Sequence, residues 1–293
     1  MPMTMPMTMP IVLPIQSKEA LDNNFRRQRS KSIKRVKKYE GFDTTDARYG
    51  PELQKSICDE RWSPCCTLVC LYARMGLHRY NLLQGKNLQL NRVKKYNMST
   101  HSAACNYYIT LVAMDPARSK LLNVQTKVDE ERFGKFILTS DIARPRGKNT
   151  EDGSLITEHY FYVKGSLPTC PPEDLFENSN RFYVVEESEL QVNDWIRLYL
   201  ELAVATTHRS TGRNHDLSGL KIMKVAIDTC EDVVEPPNEA SLNAINAIVY
   251  IRYKDFCESR VGKDVDRIAI VKRSFNERYG CFILEGQNEV IKS

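Results

Sequence analysis

Apolar and polar positions alternate in four stretches of the first half of the chain, and four similar stretches follow in the same order in the second half. "NLQLNRV" at 87–93 precedes "NYYITLVAMD" at 106–115, "LLNVQTKV" at 121–128 and "ERFGKFIL" at 131–138. "GLKIMKV" at 219–225 precedes "NAIVYIRYKD" at 246–255, "RIAIVKRS" at 267–274 and "ERYGCFIL" at 277–284. A two-residue period is the mark of a strand with one buried face. Leu88, Leu90 and Val93 correspond to Leu220, Ile222 and Val225, and in both triplets the alternation slips after the second position, which predicts a bulge. Asn106, Ile109, Leu111 and Asp115 correspond to Asn246, Val249, Ile251 and Asp255. From Leu122 and Ile268 onward, one constant offset aligns the two copies through the repeated phrase. Four matches in one order point to a duplicated unit.

A helical segment precedes each set of strands. From Cys65 to Gln84, Val69, Tyr72, Ala73, Gly76, Tyr80 and Leu83 recur at three- and four-residue steps, with Thr67, Arg74, His78 and Asn81 on a polar face and Gly85 placed to cap the end. In the second half Ser188 and Gln191 form a candidate capping box, and Val192, Trp195, Ile196, Tyr199, Leu202 and Ala203 make a stripe opposite Arg197 and Glu201. The joins "DEERFG" and "FNERYG" read as hairpin turns in which Gly134 and Gly280 take positive φ. The Phe and Leu that follow each turn, two residues apart, point into one core. The repeated phrase is thus expected to serve the fold rather than a ligand.

The expected fold class is α+β, with two tandem units, each a long helix packed on an antiparallel sheet of about four strands. The boundaries drawn are a Met/Pro tail at 1–16, a basic arm and linker at 17–60, a first unit at 61–150, a connecting segment at 151–187 and a second unit at 188–293.

A long helix followed by four strands that wrap around it is similar to the cystatin-like fold. In particular, "GLHRYNLLQGKNLQLNRVKKYN" running on to "NYYITLVAMD" resembles the helix, strand, hairpin loop and second strand of plant cystatins. From about Tyr39 to Asn288 the chain resembles a crucifer-expanded plant family of uncharacterised proteins with a domain of unknown function. "GLHRYNLLQGKNLQL", "RFYVVEESELQVNDWIRLYLELAV", "NAIVYIRYKD" and "LEGQN" carry that resemblance. Members of the family are named for embryo-defective and male-sterile phenotypes, the male-sterile branch being tied to early meiosis. The resemblance implies a nuclear role in reproductive development and male fertility, and it supplies no catalytic residue.

The likeness to cystatins makes inhibition of papain-like cysteine proteases the alternative function. A cystatin inserts a QxVxG hairpin loop into the protease cleft, and the loop in that place here reads "MSTHSAAC" at 98–105, without Gln, Val or Gly. The interaction-loop candidate is Ser99, Thr100, His101 and Ser102. The counterpart in the second unit, 228–245, is longer and acidic.

Charge adds one local feature. The net charge of +5 is concentrated in "RRQRSKSIKRVKK" at 26–38, with eight basic and no acidic residues, so the rest of the chain is slightly acidic. The run reads as a solvated arm, a nuclear-localisation segment or a phosphate-binding arm. The nuclear-localisation candidate is Arg26, Arg27, Arg29, Lys31, Lys34, Arg35, Lys37 and Lys38, with an import receptor as its partner. Direct nucleic-acid binding by the body is not expected. No segment is long and apolar enough for a membrane span. The nine cysteines include no CxxC pair and are expected to be reduced, with Cys65, Cys66 and Cys70 acting as small apolar residues of a helix.

The five histidines show no ligand spacing apart from the His208 and His215 pair, which is read as surface histidines, and no Walker loop, GxGxxG or catalytic pair is present. No cofactor, metal or catalytic residue is expected. The expected function is a non-enzymatic nuclear interaction protein, with partners of the meiotic or chromosome-associated kind and the cytoplasm as a second compartment. Replacing the eight basic residues by Gln should move a fusion too large to diffuse through nuclear pores out of the nucleus, leaving the melting temperature of the body unchanged. Continued nuclear accumulation in fluorescence microscopy would contradict the import reading.

Overall fold

The computed structural model describes residues 40–43, 53–59, 61–100, 102–147, 167–168, 172–207, 216–229, 237–257 and 265–290. The basic arm, His101 and the Met/Pro tail lie outside these residues. Eleven strands among the described residues form one antiparallel sheet: β1 Leu53–Ile57, β2 Gln89–Ser99, β3 Asn106–Asp115, β4 Lys120–Glu130, β5 Phe136–Ser140, β6 Ala143–Pro145, β7 Tyr183–Val184, β8 Leu220–Asp228, β9 Ala247–Asp255, β10 Val265–Asn276 and β11 Cys281–Val290. Their order is β1-β2-β3-β4-β5-β11-β10-β9-β8-β7, with β6 paired to β4 off this path. Helices α1, Thr67–Gln84, and α3, Asp194–Thr207, pack against the sheet and against each other, and a short α2, Glu187–Val192, precedes α3. The class is α+β, as expected.

Helix α1 ends where its sequence says it should. Gly85 adopts φ 57° and its N–H donates to the Asn81 carbonyl. The Asn81 side chain then grips Leu88 from both sides, donating to its carbonyl at 2.8 Å and accepting its N–H at 2.9 Å, so the chain turns directly into β2. Gly76 lets the helix approach β4, since a Cβ there would overlap the Thr126 side chain.

In the second half the capping box is formed by Glu186 and Glu189 rather than Ser188 and Gln191. Asn193 interrupts the helix, leaving Val192 78% exposed and outside the stripe, while Trp195, Ile196, Tyr199, Leu202 and Ala203 are buried.

The repeated phrase lies at the centre of the sheet. Strand β5 pairs antiparallel with β11, Phe136 opposite Gly286, Leu138 opposite Leu284 and Ser140 opposite Phe282. Leu138 and Leu284 are the same position of the two phrases, so the ladder is symmetric about that pair. Each phrase's Phe faces a small residue contributed by the other half. A Cβ on Gly286 would strike the Phe136 ring. All four large side chains, Phe136, Leu138, Phe282 and Leu284, are buried in the core shared with both helices. Gly134 and Gly280 take φ of 69° and 59°, as read from the turns.

The predicted bulges are present, the register shifting between Leu90 and Arg92 in β2 and between Ile222 and Lys224 in β8. The constant offset, however, does not hold in the third strands. Asp115 pairs with Lys120, whereas its counterpart Asp255 pairs with Val265, one residue earlier than the offset requires. Val124 therefore corresponds to Ala269, both in the helix-side core, while Ile270 belongs to the small cluster on the opposite face. A slip of one residue reverses the faces of a strand. On that far face, Leu175 and Phe182 cover Ile248, Tyr250, Ile268 and Ile270 in the second half. In the first half, Phe42 packs edge-on against Tyr108, while the Gly41 and Phe42 carbonyls accept from Asn97.

The cysteines depart from expectation. Cys58 and Cys65 are joined in a disulfide with Cα atoms 5.1 Å apart, Cys66 is exposed ahead of the helix, and only Cys70 of the three lies within it. Seven residues apart, the two half-cystines close a turn that has no CxxC signature.

Because Leu138 and Leu284 are fully buried and face each other, Leu138→Ala and Leu284→Ala should each lower urea stability by about 2–5 kcal/mol. The double variant should fall short of or exceed the sum by at least about 0.5 kcal/mol. Strict additivity would mean that the two side chains do not meet.

Candidate interaction edge

The polar face expected on α1 is the boundary between the two halves. Arg74 donates to Glu201 at 2.5 Å, Glu201 also accepts from Arg197 at 2.9 Å, and Arg79 donates to the Gly280 carbonyl at 2.7 Å. His78 lies 2.9 Å from the Tyr199 hydroxyl, stacked on Trp195 and edge-on to Phe282. Arg273, fully buried, stacks over Trp195 at 4.8 Å and donates to the Leu242 and Ala244 carbonyls. Burial, with the Arg273 charge nearby, pushes His78 down to about 3, and burial pushes Tyr199 up to about 12. A neutral imidazole and a neutral phenol sharing one hydrogen bond between packed helices form a structural joint.

A second cluster joins Lys127 to Asp129 at 2.8 Å and to Asp141 at 3.0 Å. Burial and the neighbouring Asp141 push Asp129 up to about 6 against the pull of Lys127, and burial pushes the Cys281 thiol up to about 12. A thiol held protonated is a poor nucleophile. Among the described residues no group of three His, Cys, Asp or Glu side chains is placed to hold a metal ion.

Ile57 and the most exposed large hydrophobic side chain among the described residues, Trp62, stand at the outer edge of the first half. The disulfide closes the turn 58–65, Asp59 and Ser63 exchange backbone hydrogen bonds at 2.8 and 3.0 Å, and Asp59 Oδ1 accepts the Arg61 and Trp62 amides at 2.9 and 3.0 Å. Held this way, Trp62 stands 89% exposed and Ile57 64% exposed. A groove of about 680 Å³ lies next to this turn, with Ile57, Pro64, Cys65, Cys70, Leu90 and Val93 as apolar lining and Arg61, Arg92 and Lys94 around it; Trp62 itself follows Arg61 and does not line it. A large aromatic side chain standing in the open on a turn next to an apolar groove is the kind of residue that anchors interfaces.

The candidate loop Ser99–Ser102 lies elsewhere, at the β2–β3 hairpin. Ser99 is occupied in accepting the Asn106 amide at 2.9 Å, Ser102 is exposed, and Cys105 is buried with its N–H donating to Glu130 at 3.0 Å. The loop and the groove are therefore separate features, and the groove was not singled out by sequence. Its signal was "CDERWSPC", two cysteines bracketing Trp62 and Pro64, which carries no motif beyond that spacing.

Residues 167–284 match the family described as Protein MS5. The chain is 45% identical over 228 residues to UPF0725 protein EMB2204 of Arabidopsis thaliana, covering 76% of this chain and 67% of that one. It is 37% identical over 274 residues to UPF0725 protein At3g19520 of the same plant, covering 86% of each. The crystal structure of MS5 from Brassica napus matches with a TM-score of 0.64 and 34% identity, covering 78% of this chain and 100% of that chain.

His78 makes the joint between the halves sensitive to pH. Its folded-state value lies near 3 against an ordinary 6.5, so the unfolded chain takes up the proton first. The stabilisation is complete above 6.5 and is lost as pH falls toward 3, at up to about 1.4 kcal/mol per pH unit. Asp129 acts in the opposite sense between 3.8 and about 6, so the comparison needs a variant. Urea stability of His78→Phe should fall less than wild type between pH 7 and pH 5. Parallel curves would contradict the assignment.

Proposed function

This chain belongs to the family of MS5 and the UPF0725 proteins, and from that premise we propose that it is a non-enzymatic interaction protein of plant reproductive development. We read its place of action as the nucleus and its task as early meiotic progression and male fertility. The reproductive assignment rests on the likeness to MS5 and EMB2204. The nuclear one rests on the basic run at 26–38. The two halves are read as a duplicated unit of cystatin-like build, 61–150 and 188–293, joined through the paired phrases.

The observation that carries the interaction reading is the exposed Trp62, its backbone held by Asp59, on a turn next to the apolar groove lined by Cys65, Cys70, Leu90 and Val93. The buried titratable groups, by contrast, are engaged with one another within the fold. Protease inhibition is not carried forward, because the 98–105 hairpin lacks the Gln, Val and Gly of a cystatin wedge and turns Cys105 inward.

Trp62→Ala leaves the core untouched, so it separates binding from folding. Partners captured from reproductive tissue by the chain lacking residues 1–40 should be lost with Trp62→Ala, and that variant should fail to restore fertility in a plant lacking the protein. Full restoration of fertility, with the same partners retained, would overturn the groove as the working surface.

A further inference from the structure

The groove next to the Trp62 turn borders a stretch of sheet edge that no strand pairs among the described residues. Strand β1 pairs with β2 only from Lys95 to Ser99, and one further bond, Cys58 N–H to the Lys94 carbonyl at 3.0 Å, closes the ladder. Past that point β1 gives way to the disulfide-closed turn, and among the described residues no strand pairs the β1 side of Gln89–Val93. Backbone groups on a strand edge require a partner or water. Five residues of edge offer about 17 Å, the length of a short strand.

The surroundings select the kind of strand. Arg61, Arg92 and Lys94 line the groove. Arg61 and Arg92 have no ion-pair partner among the described residues, and Lys94 reaches only Asn123 Oδ1 at 3.4 Å. The one carboxylate lining the groove, Asp59, already accepts two amides of its own turn. Bulges and cations along an edge discourage pairing with a second copy, which would bring the same Arg92 and Lys94 against themselves. Those cations are complementary to an acidic strand.

We propose that this groove receives an extended acidic segment of a partner protein, added as an antiparallel strand along Gln89–Val93. This rests on the interaction reading above. An apolar side chain of the segment enters the space between Cys65, Cys70, Leu90 and Val93, its carboxylates face Arg61, Arg92 and Lys94, and Trp62 closes over it. Backbone pairing supplies the affinity, and the pocket and charges supply the selection.

The probe is a fluorescein-labelled peptide of alternating Glu and Val residues, titrated with the full chain in low salt and followed by anisotropy and by Trp emission. It should bind, shift the emission of Trp62 to the blue, and weaken about ten-fold in the Arg92→Glu/Lys94→Glu double variant. The same peptide N-methylated at alternate residues and a Lys/Val peptide should not bind. Binding that survives N-methylation, binding indifferent to the double variant, or equal binding of the Lys/Val peptide would overturn strand addition by an acidic segment. A dimer in sedimentation that dissociates on peptide addition would assign the edge to a second copy instead and also overturn it. If no peptide binds while partner capture still depends on Trp62, this inference fails and the interaction reading stands.

Discussion

Five ladder pairs between β5 and β11 hold the two halves of this protein in one sheet, and most other features follow from that seam. An antiparallel pairing of two equivalent strands is symmetric only if it is centred on equivalent residues, and here the centre is Leu138 opposite Leu284. The symmetry demands that what lies on one side of the centre in one strand suit what lies on the other side in its partner. Phe136 against Gly286 and Phe282 against Ser140 meet that demand, a large ring over a small residue each time. The phrase is written twice because the fold uses it twice at one place.

Joining the halves at their inner edges also determines what is left outside. Helices α1 and α3 are brought side by side, so residues that look like a solvent face, Arg74, His78, Glu201 and Arg197, become a half-buried polar joint. The outer edges remain, β7 short at one end and β1 at the other. At the β1 end the strand stops early and the disulfide-closed turn takes its place, leaving a stretch of β2 that no strand pairs among the described residues and an exposed Trp62. The proposed binding surface is thus a consequence of how the sheet ends.

Local features were legible in the sequence where one residue type had one physical use. Gly85, Gly134 and Gly280 each occupy a positive-φ position, and the slips after Leu90 and Ile222 are bulges. The third strands were misaligned because both faces of β10 are apolar. Ala269 and Val271 face the helices while Ile268 and Ile270 face the other cluster, so alternation there cannot distinguish one register from the next. The polar joint was hidden for a related reason, since a side chain paired across an interface has the same composition as one in water. The groove was hidden because its parts, Cys58, Arg61, Cys70 and Arg92, are brought together only when β1 pairs with β2.

The central claim is that the paired phrases make the two halves one cooperative structure. Native-state hydrogen exchange read at Phe136–Ser140 and Phe282–Gly286 tests it most directly. If the seam joins the halves, these amides exchange together, at the free energy of global unfolding, and they lose protection in step as urea is added. Exchange of the seam amides at markedly lower free energy than β3 and β9, with each half keeping its own protection, would show two independent bodies resting edge to edge and contradict it.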